Sequence, residues 1–207
     1  MQLISKRNLY TAAIAGLMVS GVAATPARAQ SVCDAVAGNL LTNCGFEFGN
    51  AGGWSLTGNG GFFAITSGSS YLPNSGSFYW DDGAVGSMAF LSQTLATNPG
   101  DTYNVSFYYN SAGGHYNEVF GSFAGTPFVS IANPSTSGWY QFTASIVAPT
   151  NSSVYTIGMR NDPSFDGIDD NVVVDANVTP EPASLVLLAT GLVGIVARAR
   201  RRRTNVA

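Results

Sequence analysis

The chain has 207 residues, enough for one domain with a sizeable core, and only 10% of them are charged. Of the nine basic residues only Arg160 lies outside the two ends, so residues 30–182 set one arginine against all twelve acids, a net charge of −11. A body without lysine does not neutralise a phosphate backbone, which excludes nucleic acid; acidic surfaces are repelled unless a cation bridges, leaving calcium, neutral polysaccharide and other proteins.

Lys6 and Arg7 precede an apolar run over 9–24, and Ala27-Arg28-Ala29 supplies the small residues of a cleavage site. Residues 1–29 therefore read as a secretory signal peptide cut before Gln30. The body, 30–177, is rich in Gly, Ser, Thr, Asn and aromatics, and has no amphipathic helical stretch, which argues for strands and turns. Cys33 and Cys44 are the only cysteines. An even pair in an oxidising compartment predicts one disulfide, closing a short loop at the start of the domain.

Residues 90–100, FLSQTLATNPG, predict a strand closed by a Pro99-Gly100 turn. In 101–110, Tyr103, Val105, Phe107 and Tyr109 alternate with Thr102, Asn104, Ser106 and Tyr108, the signature of a strand with one core face and one wet face. In 139–148, Tyr140, Phe142, Ala144 and Ile146 share a face. A strand over 153–160 follows the turn-forming PTNSS, and 168–178 makes the last. Gly, Asn and Pro clusters at 49–53, 58–61, 73–76 and 110–114 mark loops. About eight short strands without intervening helices predict an all-β fold, a single antiparallel sandwich of the jelly-roll kind.

The last segment, 178–207, joins Pro180-Glu181-Pro182 to 15 uncharged residues, 183–197, and then Arg198, Arg200, Arg201, Arg202 and Arg203. As a helix the run reaches about 22 Å, short against a hydrocarbon core of about 30 Å, and arginine stems extend that reach. Arginine-rich flanks stay cytoplasmic, so the C-terminus is expected inside and the body outside. The prolines keep the outer segment extended and accessible to a protease.

This tail resembles the PEP-CTERM sorting segment. The resemblance implies an exosortase partner, a transient inner-membrane intermediate, and a final place at the cell surface or in an extracellular polysaccharide matrix. The body is similar to galactose-binding-like and carbohydrate-binding jelly rolls: Asn43, Gly45, Phe46, Glu47 and Trp54 fit their opening Asn-Gly-x-Phe-Glu strand and Gly-Trp step, with Cys44 where many members have Gly. GIDDNVVV, 167–174, resembles their terminal strand. In several such modules the first-strand Glu meets the last-strand Asp at a structural calcium, which the resemblance places on Glu47 and Asp170, with Asp169 as neighbour.

The candidate ligand-binding residues are aromatic and amide side chains outside the core pattern: Tyr79, Trp80, Tyr108, Asn110 and Tyr116, with Tyr71 and Asp82 nearby, since flat rings stack on sugars. Alternation puts Asp169 and Asp170 on opposite faces. Trp54 and Trp139 are assigned to the core. His115 stands alone, and no G-x-S-x-G elbow occurs, so no catalytic residue is assigned and the chain is not read as an enzyme. The expected function is glycan binding. The alternative is calcium-dependent structure or adhesion in the matrix, with polysaccharide hydrolysis the weakest reading.

Overall fold

The computed structural model describes residues 30–113, 116–134 and 138–177; the signal, the sorting segment and His115 lie outside them. A 3-10 turn, Val32–Ala35, precedes ten strands: β1 (Ser55–Gly58), β2 (Ala64–Thr66), β3 (Tyr79–Asp82), β4 (Ala89–Ala96), β5 (Thr102–Ser111), β6 (Tyr116–Phe123), β7 (Thr126–Ala132), β8 (Tyr140–Val147), β9 (Ser152–Asp162) and β10 (Asp166–Asp175). They form two five-stranded sheets, β1-β4-β9-β6-β7 and β2-β3-β10-β5-β8. All pairings are antiparallel. This is the expected all-β sandwich, and among the described residues no helix is long and apolar enough to cross a membrane.

Alternation builds the core. Tyr103, Val105, Phe107 and Tyr109 of β5 are buried, as are Leu91 and Leu95 of β4 and Tyr155, Ile157 and Met159 of β9. Phe142 and Ala144 of β8 pack onto them. Phe107 meets Phe142 and Phe128 with ring centroids 5.6 and 5.8 Å apart, contacts that add about 0.5–1.5 kcal/mol each beyond buried area. Gly121 makes room for this cluster, because a Cβ there would lie 2.7 Å from both Phe107 and Phe128.

The N-terminal segment fills a gap in the second sheet. β3 pairs with β10 only over Asp166–Ile168; beyond it the amide of Leu40 donates to Val173 O, and Asn39 Nδ2 donates to Asn171 O. Cys33, Cys44, Leu41, Phe46 and Trp54 enter the core from this segment, and Cys33 and Cys44 form the expected disulfide. The opening Asn-x-x-Phe-Glu stretch is a chain of turns rather than a strand. Asn43 and Phe46 adopt φ of 54° and 61°, and the Asn43 side chain takes over the bonding of a ladder: Nδ2 donates to Asn50 O and Gly52 O, and Oδ1 accepts from Phe48 N.

At one end of the sandwich the inward positions turn polar in five strands together. Trp80 gives way to Asp82 on β3, Ile168 to Asp166 on β10, Tyr109 to Ser111 on β5, Val119 to Asn117 on β6 and Met159 to Asn161 on β9, all of them buried. The Tyr109 hydroxyl donates to Asp166 Oδ2 at 2.7 Å and Asn161 Nδ2 to Asp166 Oδ1 at 2.6 Å. Burial above all raises Asp166 to about 6 and Asp82 to about 7.

The disulfide ties the turn-rich plug to itself before it docks. Replacing both cysteines by alanine is expected to lower stability by about 2–4 kcal/mol in equilibrium urea unfolding of the purified chain, with the sandwich still formed by circular dichroism.

Candidate functional site

The outer face of the second sheet is where polar and aromatic side chains meet. Register puts Tyr79 and Asp81 of β3, Gly167 and Asp169 of β10, Asn110, Tyr108 and Ser106 of β5, and Gln141 and Thr143 of β8 on that face. The loop between β2 and β3 folds over half of it. Ser69 and Ser70 donate hydroxyls to Asp81 Oδ2, and the amides of Ser70 and Tyr71 donate to the Tyr79 hydroxyl. Trp139, just ahead of β8, closes the cover: its Nε1 donates to Leu72 O at 3.0 Å, and its ring stands edge-on to Tyr79 with centroids 5.7 Å apart. Gly167 is needed beneath, where a Cβ would meet the Trp139 ring at 2.9 Å.

The other half of the face stays open as a shelf over β5 and β8. Trp139 and Tyr108 are half-buried, with Gln141, Thr143, Ser145 and Asn104 exposed beside them. Gln141 Nε2 reaches Ser106 Oγ at 3.4 Å, and Ser145 Oγ donates to Asn104 Oδ1 at 2.7 Å. The shelf thus has two rings at its walled end, amides and hydroxyls along its floor, and no charged group among these six side chains. Such a surface stacks on and hydrogen-bonds to a neutral polyol.

Of the sequence-chosen ligand residues, Tyr108 lies on this shelf. Tyr79, Trp80 and Asn110 do not qualify as contacts. Tyr79 and Trp80 are fully buried and Asn110 is 6% exposed. Trp80 points into the core, while Tyr79 and Asn110 lie beneath the covering loop and Trp139. Asp82 is likewise inside. Tyr116 is exposed on the opposite sheet, where Arg160 sits 4.2 Å over its ring and Asp162 pairs with that guanidinium. Trp139, expected in the core, forms part of the shelf; β8 turns Phe142, Ala144 and Ile146 toward the core, with Tyr140 on the same face but 57% exposed at the strand's start, and that alternation sets Trp139 outside with Gln141 and Thr143.

Glu47 and Asp170 both hold the covering loop, at neighbouring residues. Glu47 Oε1 accepts from the amides of Ser77 and Phe78 at 2.8 and 3.1 Å. Asp170 Oδ1 accepts from the Cys33 amide and the Ser31 and Ser75 hydroxyls, and Oδ2 from Asn74 Nδ2 at 2.7 Å. Both carboxylates thus anchor the covering loop, and Asp170 also anchors the N-terminal plug. The regular alternation expected at Asp169 and Asp170 is interrupted. A bulge lies between Asp169 and Val172, Asp170 has φ 47°, and both acids are buried. Cys33, Asp34 and Cys44 lie close together, but the sulfurs are joined in the disulfide.

Comparison with known proteins adds the tail and the fold. Residues 178–202 match the PEP-CTERM protein-sorting motif. The chain carries a PEP-CTERM sorting segment. Among solved structures the sandwich of this PEP-CTERM chain is similar to TmCBM61, solved with beta-1,4-galactotriose, at a TM-score of 0.52 and 22% identity over 66% of this chain and 98% of that one. It is also similar to the CBM22-1 xylan-binding domain of Paenibacillus barcinonensis Xyn10C, with a TM-score of 0.46 and 14% identity over 69% and 98% of the two chains. A search of curated proteins finds no match. The two-sheet antiparallel sandwich is thus a fold shared with TmCBM61.

Asp169 sets a pH dependence. Burial, and then the charge of Asp170, raise it to about 9, against the lowering pull of the Asn74, Ser75 and Asp170 amides. The folded state then keeps a proton that the unfolded chain releases near the ordinary carboxyl value of about 4, so stability falls as pH rises between about 4 and about 9. Thermal melts in chelator across that range are expected to show this decline, and Asp169→Asn to flatten it.

Proposed function

We propose that this is an exported, exosortase-sorted protein of the cell surface or polysaccharide matrix whose sandwich binds neutral polysaccharide without catalysis. The observation that supports the binding reading best is the open shelf of Trp139 and Tyr108 beside Gln141, Thr143, Ser145 and Asn104. A glycan chain lies along β5 and β8, with one sugar ring against Trp139 at the wall of the covering loop and the next against Tyr108. The jelly-roll fold suits this, and the bound galactotriose of its structural neighbour makes β-linked neutral hexose polymers the first ligands to try.

The two carboxylates that a glycosidase needs across an open groove have no counterpart on the shelf. Asp81 and Asp169, the acids of this face, lie under the covering loop and are buried. In affinity electrophoresis through neutral galactans and xylans, migration of the purified chain is expected to slow. Trp139→Ala and Tyr108→Ala are each expected to weaken retardation about fivefold, in line with about 1 kcal/mol per stacked ring. Unchanged mobility in every neutral polysaccharide counts against the reading.

The tail supplies the address. We read Pro180-Glu181-Pro182 as the exosortase-facing element, the apolar run as a temporary membrane hold and the arginine cluster as its cytoplasmic anchor. Changing Pro180, Glu181 and Pro182 to alanine is expected to leave the chain in the inner-membrane fraction at its unprocessed mass, while the sandwich stays folded. Normal processing of that variant would remove the motif from the mechanism.

A further inference from the structure

The polar layer at the end of the sandwich holds more negative charge than its surroundings answer. Asp82 and Asp166 are register partners on β3 and β10 and both point inward, continuing the faces of Trp80 and Ile168. Both are 0% exposed. Arg160 is the only basic residue among those described, and it is spent on the outer surface against Asp162 and Tyr116.

The two acids differ in how they are held. Asp166 is anchored on both oxygens, by the Tyr109 hydroxyl and Asn161 Nδ2. Asp82 is not: neither oxygen has a hydrogen-bond partner, and the Asn161 side-chain oxygen also has none. The backbone amides of Gly83 and Ala84 approach the Asp82 carboxylate as weak donors and lower it against the burial that raises it, but fall short of regular hydrogen-bond geometry. Nor does the chain open there to let solvent reach it. The Ser164 carbonyl and the Phe165 ring press on Gly83, where a Cβ would lie 2.7 and 3.0 Å from them.

Three buried oxygens without donors, beside a second carboxylate already fixed in place, form a set of hard ligands of matching charge. Asn161 joins the two, since its Nδ2 holds Asp166, its backbone amide donates to Ala84 O at 3.2 Å, and its free Oδ1 belongs to the same side chain. We propose that Asp82, Asp166 and Asn161 bind one divalent cation of the calcium class inside the sandwich. Two carboxylates neutralise such an ion, and the ion removes the cost of two like charges in an apolar interior. The site is separate from Glu47 and Asp170, which hold the covering loop and the plug, and it does not depend on the glycan reading. Its role is to lock β3, β9 and β10 together at the end where the apolar core stops.

The test uses the purified full chain and calcium itself. Relative to chelator, calcium at a hundredfold excess over Kd is expected to raise the melting midpoint by about 5–10 °C. Kd should fall in the range of about 10⁻⁴–10⁻³ M found for extracellular modules, with one ion bound per chain by equilibrium dialysis. Asp82→Asn should weaken binding at least tenfold, whereas Glu47→Gln should leave it unchanged. If Asp82→Asn fails to fold, terbium reports the location in a folded chain. Luminescence sensitised by tryptophan should drop in Trp80→Phe, the tryptophan nearest Asp82 on β3, and persist in Trp54→Phe, which lies by the plug. A midpoint insensitive to calcium, full binding in Asp82→Asn, or terbium emission lost with Trp54 rather than Trp80 would each overturn the site.

Discussion

Strand β10 carries Asp166, Asp169 and Asp170 inside a domain with one arginine, and most of the architecture follows from how those three buried acids are accommodated. An unpaired carboxylate in an apolar interior is costly, so every neighbour of this central strand is arranged around donors. Asp170 collects the N-terminal plug through Ser31 and the Cys33 amide and the covering loop through Asn74 and Ser75. Asp169 accepts from the Asn74 and Ser75 amides of the same loop. Asp166 recruits Tyr109 and Asn161, and so stitches β5 and β9 onto β10. Acids that look like surface charge in the sequence are the joints of the fold.

The same joints decide which part of the second sheet faces solvent. A loop pinned at 74–78 by Asp169, Asp170 and Glu47 lies over β3 and the first half of β10, because its anchor points are there. It cannot also cover β8, which is the sheet's edge. Trp139 finishes the cover at the boundary, bonded to Leu72 on one side and facing the shelf on the other. The open shelf is therefore what the loop leaves over, and its position is set by carboxylates that lie outside it.

The long alternating strands were legible in the sequence. β4, β5, β8, β9 and β10 all fall where the pattern put them, because in each a row of apolar side chains faces one way. β1, β2 and β3 were not. They are four residues or shorter, and they sit among Gly, Ser and Asn whose turns dominate the local pattern. Tyr79 and Trp80 show the limit well: next to loops in sequence, they are buried because a distant segment folds over one and the opposite sheet packs on the other. The bulge after Asp169 also left no trace, since a two-residue period carries no sign of an extra residue. Trp139 was different: the parity of the neighbouring strand already places it outside with Gln141 and Thr143.

The domain, residues 30–177, sets eleven acids against one arginine, a net charge of −10, yet none of the six shelf side chains is charged. Asp81, Asp82, Asp166, Asp169 and Asp170 are buried, where their charge is taken up by donors, protons or a cation rather than projected into solvent. The acids left nearer the surface, such as Asp34, Asp162 and Glu118, belong to the plug and the opposite sheet. The shelf is neutral within a strongly acidic domain. Ring faces, amides and hydroxyls are what it offers, and contacts of that kind are screened little by salt, whereas the acids elsewhere repel anions.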